Sequence, residues 1–262
     1  MSLPNKHGLT RYIPADIKHK IRVQCGFGCV ICGMGIIQYE HVEPEFSEAR
    51  EHDPKKMTLL CGACHDKVTR KIWSKEKVKE HAKNPKCLEV GYSSDFFEIG
   101  KELPIVKFGA SEWSNTPTII EAFDETILGF TLEPRSGLLE ISGVFHDDDD
   151  HEIFRIEKNE WRGDSSYFDI ETVGPRLTIR KQSKTIALQI YVEPPNLFVV
   201  EEINMLYRGA RIVGAIDKGF VVISPDSSTI AVSNLKGNSC EAGVKISENG
   251  IGVGYKCKSL TF

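Results

Sequence analysis

The pattern of hydrophobic and polar positions changes at about residue 95. Before this point, apolar positions with helical spacing lie between charged segments, and after it short β-branched runs are separated by turn residues. The first part predicts a helix, a β-hairpin with a long irregular connection, and two short helices. The first helix covers about residues 14–25, and the two strands of the hairpin cover 36–42 and 57–60. One short helix follows Cys61, and the other covers 74–84 with Ser74 as N-cap.

The second part predicts an all-β domain. Apolar and polar residues alternate over 186–192, which is the period of a half-buried strand. Most connections are too short for a crossover helix, which favours an antiparallel sandwich or barrel. A β-solenoid is the alternative, although no repeat of fixed length is visible. We therefore predict an α+β protein, with one module over residues 1–92 and an all-β domain over 93–262.

Composition narrows the class of protein. The chain has 262 residues, of which 40% are hydrophobic and 27% charged, as in ordinary globular domains. It has no apolar run of the ~18 residues that a membrane helix needs and no signal-peptide pattern at its start, so we expect no membrane association and a cytoplasmic protein. The net charge of −4 hides an asymmetry, because residues 1–90 carry +5 and the remainder −9. The two parts should therefore have different partners.

Six of the eight cysteines lie in the first 90 residues, and four of them form two C-x-x-C pairs. Cys29, Cys32, Cys61 and Cys64 are predicted to bind a structural Zn²⁺, because four thiolates suit its tetrahedral coordination. Such a site leaves no open position for chemistry, so function has to come from residues held beside it. The other four cysteines are interpreted as core residues, with Cys25 as a minor alternative ligand. They are Cys25, Cys87, Cys240 and Cys257.

Three stretches of the first part together resemble a known family. They are FGCVICG (27–33), YEHVEP (39–44) and LLCGACH (59–65). In order and spacing they resemble the zinc-stapled branch of the HNH endonucleases, which is built on the ββα-metal finger. The resemblance covers about residues 10–85 and does not extend to the β-region. It implies an HNH module that hydrolyses phosphodiester bonds in DNA with a single divalent metal.

The resemblance also implies roles for three side chains. By position, Glu40 is a ligand of the catalytic metal, His41 is the general base, and His65 is a second metal ligand. The residue types suit these roles, because a neutral imidazole accepts a proton near neutral pH, and carboxylate and imidazole bind Mg²⁺, Mn²⁺ or another first-row ion. On an ideal strand Glu40 and His41 would face opposite sides; the resemblance implies that the pair lies where the strand ends. The alternative for both histidines is a structural role beside the zinc.

The match has two departures. Lys56 stands where the family usually has the Asn that braces the catalytic loop, and Glu40 stands where many members have Asp. Lys56 can replace the brace or bind phosphate, or it marks a weakened enzyme. His52 and Asp53 in the connecting loop are candidates for a further ligand or for the missing brace, and solvated loop residues are the alternative.

Basic residues follow the predicted site along the chain. We predict nucleic-acid contacts at Lys56, Lys67, Arg70 and Lys71, with an ordinary solvated helix surface as the alternative. Asp147–Asp150 is interpreted as a turn between strands. The acidic β-domain is expected to serve assembly, targeting or regulation, through self-association or a protein partner. The alternative function for the whole chain is a non-catalytic zinc module that binds nucleic acid or a protein partner.

Overall fold

A computed structural model of the protein describes residues 3–248 and 250–261. The chain divides into two compact units. The first contains the residues up to Asp95 together with Gly163–Thr172, and the second contains Phe96–Arg162 and the chain from Val173 onward. The predicted α+β class with a large β part is confirmed.

Helices occur in the first ninety residues, and strands dominate the rest of the described chain. The helices are α1 Ala15–Cys25, α2 Gly62–Thr69, α3 Lys75–Lys83 and α4 Lys86–Val90, with a 3₁₀ turn at Pro54–Lys56. The strands are β1 Ile37–His41, β2 Met57–Cys61, β3 Tyr92–Phe96, β4 Ile105–Phe108, β5 Ser111–Ser114, β6 Thr118–Ala122, β7 Glu125–Leu132, β8 Leu139–His146, β9 Glu152–Glu157, β10 Glu160–Asp164, β11 Asp169–Val173, β12 Arg176–Gln182, β13 Thr185–Glu193, β14 Leu197–Tyr207, β15 Ala210–Ala215, β16 Gly219–Ile223, β17 Thr229–Val232, β18 Lys236–Asn238, β19 Ala242–Ser247, β20 Gly250–Tyr255 and β21 Ser259–Thr261.

The local signals of the first unit act as the sequence predicts. Gly26 adopts a left-handed conformation with φ +67 and ends α1, a position where a Cβ would be strained. The Ser74 side chain accepts a hydrogen bond from the backbone N–H of Lys77 and caps α3. The predicted hairpin forms as the antiparallel pair β1–β2.

Strand β2 lies at the centre of the first unit. All five of its residues are buried, whereas β1 is only partly buried. The core on which it packs includes Ile21 of α1 and Val30 of the first cysteine turn, both fully buried. Antiparallel pairing then fixes β1 residue by residue, with Glu40 opposite Thr58 and His41 opposite Met57.

The second unit contains two large sheets. One has the strand order β20-β19-β6-β7-β8-β9-β10, and the other β12-β13-β14-β4-β5-β18-β21, with β15, β16 and β17 continuing from β14. Phe130 of the first sheet and Phe198 of the second meet edge to face, with ring centroids 5.8 Å apart. The predicted turn at Asp147–Asp150 connects β8 to β9. Both sheets are open in the described chain.

The antiparallel expectation is wrong for three strand pairs of the second unit. The pairs β4–β14, β5–β18 and β6–β19 are parallel. These partners lie about a hundred residues or more apart along the chain, so a connection through many other strands replaces the crossover helix. Turn lengths between consecutive strands carry no information about such pairs.

Cys240 and Cys257 form a disulfide, which corrects their interpretation as core thiols. The register of β19 and β20 explains the pairing, because Ala242 lies opposite Tyr255. Continuing the same ladder by two residues on each strand places position 240 opposite position 257.

No helix in the described part of the chain has the length and apolarity needed to cross a membrane.

A buried ion pair ties the segment Gly163–Thr172 into the first unit. Arg22 of α1 is only 4% exposed. Its guanidinium donates to both carboxylate oxygens of Asp169, each at 2.8 Å, and to Glu171 at 2.8 Å. It also donates to the hydroxyl of Tyr39 on β1 at 2.7 Å. A buried guanidinium needs such compensation, so we infer that this segment is part of the folding unit of the first ninety residues.

Asp169→Asn tests this inference. The variant keeps the shape of the side chain but removes the charge facing Arg22. Breaking a buried pair is strongly destabilising, so the free energy of unfolding should fall by about 3 kcal/mol. Urea titrations followed by circular dichroism measure the change. Asp16→Asn is the matched control, because Asp16 forms an exposed pair with Lys20 on the same helix at 3.7 Å, and its loss should cost about 1 kcal/mol or less. Equal losses in the two variants would contradict the inference.

Candidate functional site

Four cysteines converge at the base of the hairpin. Cys29 and Cys32 lie in a tight turn after α1, Cys61 is the last residue of β2, and Cys64 lies in the first turn of α2. Their sulfur atoms all lie within 4.8 Å of one another. Gly33 closes the first turn with φ +87 and donates its N–H to the carbonyl of Cys29 at 2.8 Å. At the second turn the Cys61 sulfur accepts the N–H of Cys64 at 3.4 Å.

The spacing of the sulfurs fits Zn²⁺. Four thiolates at about 2.3 Å from a tetrahedral ion lie about 3.8 Å from one another. The sulfur of Cys32 lies 3.5 Å from that of Cys61 and 3.8 Å from that of Cys64. A cluster of four cysteines beside a ββα arrangement is therefore present, and it is compatible with a structural zinc site.

The pKa values differ from one sulfur of the cluster to the next. Hydrogen bonding from the thiol of Cys32 lowers the pKa of Cys29 and raises the pKa of Cys32 itself. Burial raises the pKa of Cys64 in the same cluster to about 12, and outside the cluster it raises the pKa of Cys25 to about 11 and that of Cys87 to about 12. Cys25 lies outside the cluster, with its sulfur 3.5 Å from the hydroxyl of Thr58. Position, not acidity, separates the four clustered sulfurs from these two thiols, because the thiol of Cys87 also lies outside the cluster and donates to the carbonyl of Gly33 at 3.4 Å.

A cleft of about 980 Å³ opens beside this cluster, and all three predicted catalytic residues line it. Glu40 and His65 meet directly, with Oε2 of Glu40 3.1 Å from Nε2 of His65. Two adjacent ligands of an octahedral ion with bonds of about 2.1 Å lie about 3.0 Å apart. The carboxylate and the imidazole are thus placed where they could hold one divalent cation.

Lys75 is the third group at this carboxylate. Its ammonium ion-pairs with Oε1 of Glu40 and donates to the backbone carbonyl of His41 at 3.2 Å. The lysine comes directly after the cap of α3, so the start of α3 is fixed against the end of β1. The sequence placed Lys75 only in a basic run, since no local motif relates it to Glu40.

His41 lies at the end of β1 and is 8% exposed. Burial lowers its pKa below the usual imidazole range, and the neighbouring imidazole of His52 lowers it further. Glu40 opposes this effect, while Arg11 adds to it. His41 is therefore held as a neutral imidazole, the form in which a histidine can accept a proton.

His52 is in contact with His41. Its Nδ1 lies 3.2 Å from Nε2 of His41, and its own Nε2 lies 3.0 Å from the carbonyl oxygen of Thr10. His52 is also 8% exposed. His52 is one of the two loop residues predicted as candidates to brace the catalytic loop. The other, Asp53, caps the 3₁₀ turn by accepting the N–H of Lys55.

The four basic residues predicted to bind nucleic acid are in different places. Lys71 lines the cleft. Lys67 lies over the ring of Trp73, which also lines the cleft, at 4.5 Å from the ring centroid. Arg70 is exposed and pairs with Asp66 at 3.5 Å. Lys56 is not among the described residues that line the cleft, and its ammonium lies 3.7 Å from Asp53.

Aromatic rings with cationic partners are part of the cleft lining. Arg11 lies over the ring of Phe46, 4.4 Å from its centroid. Lys67 and Lys77 both lie against the ring of Trp73, and the ammonium of Lys77 is 4.7 Å from the ring centroid. Both rings are half-buried, and such pairs place an aromatic surface beside a charge suited to phosphate. No local motif in the sequence marks this arrangement.

No family model, curated protein or solved structure matches this chain.

Replacement of one cysteine of the cluster tests whether it binds zinc. Cys64→Ser should reduce zinc from one ion per chain toward zero and lower the melting temperature, because metal binding stabilises the folded state. Elemental analysis of protein purified without added chelator measures the metal content. Cys25→Ser is the matched control, since this buried thiol lies outside the cluster. Retention of zinc in Cys64→Ser, or loss of zinc in Cys25→Ser, would rule out this ligand set.

Proposed function

We propose that this protein is a metal-dependent HNH endonuclease that hydrolyses phosphodiester bonds in DNA. One observation carries the proposal: Glu40 and His65 meet at 3.1 Å in a cleft that a neutral His41 also lines, beside the four-cysteine cluster. The zinc cluster has a structural role in this proposal. A carboxylate, two imidazoles and flanking basic side chains are the groups that phosphodiester hydrolysis requires.

Glu40 and His65 would hold a divalent metal, which supplies charge neutralisation at the scissile phosphate. His41 takes a proton from water, and the water oxygen forms a bond to phosphorus. The bond between phosphorus and the 3′ oxygen breaks, and that oxygen leaves with a proton from solvent. Mixed oxygen and nitrogen ligands favour Mn²⁺ or another first-row ion alongside Mg²⁺.

The charge of the first part supports DNA as the substrate. Residues 1–90 carry +5, although within the cleft lining Arg11, Lys71 and Lys75 are balanced by three glutamates. The remainder of the chain carries −9 and is a poor surface for phosphate. We therefore assign DNA contact to the first unit, and assembly, targeting or regulation of a cytoplasmic enzyme to the β-domain.

His41→Ala tests the proposal. Loss of the general base should slow cleavage of plasmid DNA by ~10² or more, while the zinc content stays unchanged. The assay uses supercoiled plasmid with Mg²⁺, Mn²⁺, Co²⁺ or Ni²⁺ added in turn. His81→Ala is the control, because His81 lies in the last turn of α3 and is not among the described residues lining the cleft. Cleavage by His41→Ala at the parent rate would contradict the assignment.

The ion pair between Lys75 and Glu40 favours a second candidate, a zinc module that binds nucleic acid without cutting it. An ammonium on one carboxylate oxygen satisfies part of the charge that would otherwise attract a metal. This candidate predicts that the parent protein binds DNA but leaves it intact with every divalent ion tested. The plasmid assay therefore separates the two functions.

Both candidates predict that Lys71 contributes to DNA binding. Lys71→Ala should weaken binding severalfold and reduce the slope of log affinity against log salt by about 1, because one phosphate contact is lost. Fluorescence anisotropy with a labelled duplex at several salt concentrations measures both quantities. Lys86→Ala is the control, since Lys86 pairs with Glu89 at 3.1 Å and is not among the described residues lining the cleft. An equal effect of the two substitutions would contradict the position of the DNA.

A further inference from the structure

Hydrogen bonding across His52 determines which nitrogen of His41 carries the proton. The carbonyl oxygen of Thr10 can only accept a hydrogen bond, so Nε2 of His52, at 3.0 Å, has to be the donor. In a neutral imidazole the other nitrogen then has a lone pair and no hydrogen. Nδ1 of His52 is therefore an acceptor.

The same reasoning extends to His41. Its Nε2 lies 3.2 Å from the acceptor Nδ1 of His52, so this Nε2 carries the hydrogen. Neutral His41 is left with its lone pair on Nδ1. In the alternative tautomer of His41, Nε2 would carry a lone pair that faces the lone pair on Nδ1 of His52. Both rings are buried, so this repulsion would not be relieved by water.

Thr10, whose carbonyl accepts the hydrogen bond from His52, lies in a segment that is itself anchored. Asn5 uses its side-chain amide to donate to the carbonyls of Phe46 at 2.5 Å and Ala49 at 2.7 Å. Its side-chain oxygen accepts the N–H of Leu9 at 3.0 Å. The segment that ends at Thr10 is thereby fixed to the loop that carries His52. Phe46 also packs against His41, with ring centroids 5.5 Å apart.

We infer that His52 is a positioning residue that holds His41 in the Nε2–H tautomer and so presents Nδ1 as the proton-accepting nitrogen. The catalytic part of this inference rests on the proposed nuclease function. When His41 takes a proton from water on Nδ1, the imidazolium keeps its Nε2–H bond to His52, and that bond becomes charge-assisted. In this inference His52 supplies the brace that the family has from the Asn at the position of Lys56.

The tautomer can be measured without any activity. Long-range ¹H–¹⁵N correlation spectra of uniformly ¹⁵N-labelled full-length protein distinguish Nδ1–H from Nε2–H histidine. The measurement is made at about pH 8, above the usual imidazole pKa of about 6.5. His41→Ala and His52→Gln assign the two resonance sets. The parent should show Nε2–H for both residues, and an Nδ1–H pattern for either would overturn the inference even if the protein cuts DNA.

Two substitutions separate positioning from general structure. His52→Leu removes the acceptor, so the His41 pattern should shift toward a tautomer mixture. His52→Gln provides a side-chain oxygen to accept and an amide to donate, so it should restore the Nε2–H pattern. His81→Leu is the control and should leave His41 unchanged. A fixed Nε2–H pattern in His52→Leu would overturn the role of His52.

Kinetics add the link to function. His52→Leu should lower kcat about tenfold to a hundredfold with little change in KM, because a mispositioned base slows the chemical step. His52→Gln should recover most of that loss. If the parent has the predicted tautomer but does not cut DNA, the nuclease proposal fails while the hydrogen-bond assignment stands. If His52→Leu does not fold, the parent spectrum and His52→Gln still decide the inference.

Discussion

Convergence of four sulfur atoms is the constraint on which the geometry of the first unit depends. Cys61 ends β2, and its sulfur accepts the N–H of Cys64 at the start of α2, so this hydrogen bond joins the end of the strand to the helix. His65 follows at once and is held relative to β2. Because Glu40 is paired opposite Thr58 on the same hairpin, its carboxylate reaches that histidine. The same backbone segments, the β1–β2 hairpin and the start of α2, therefore position both the cysteine cluster and the cleft residues.

Much of this frame could be predicted because its signals are local. Paired C-x-x-C spacings, a cap at Ser74 and a stop at Gly26 act within a few residues of where they are read. The hairpin follows from two apolar runs that have no other nearby partner. His41 and Glu40 were placed together by family resemblance, and the end of β1 at His41 explains how neighbouring strand residues line one cleft.

The features that sequence reasoning missed are long-range. Asp169 lies 147 residues from Arg22, and no periodicity relates them. The parallel pairs of the β-domain and the disulfide also depend on register between distant strands. The pair of His52 and His41 is closer in sequence, but loop geometry decides it. A long irregular loop has no period from which the direction of a side chain could be deduced.

The charge balance of the cleft relates DNA binding to the presence of a divalent metal ion. Its lining contains as many carboxylates as cationic side chains: Glu40, Glu45 and Glu76 against Arg11, Lys71 and Lys75. These six groups cancel, so the carboxylates and cations of the lining give no net charge to attract phosphate, although the first ninety residues are basic overall. A divalent ion held by Glu40 and His65 would add two positive charges at the point where the scissile phosphate has to lie. In the proposed nuclease the basic surface therefore collects DNA, and the bound metal selects the phosphate that reaches His41.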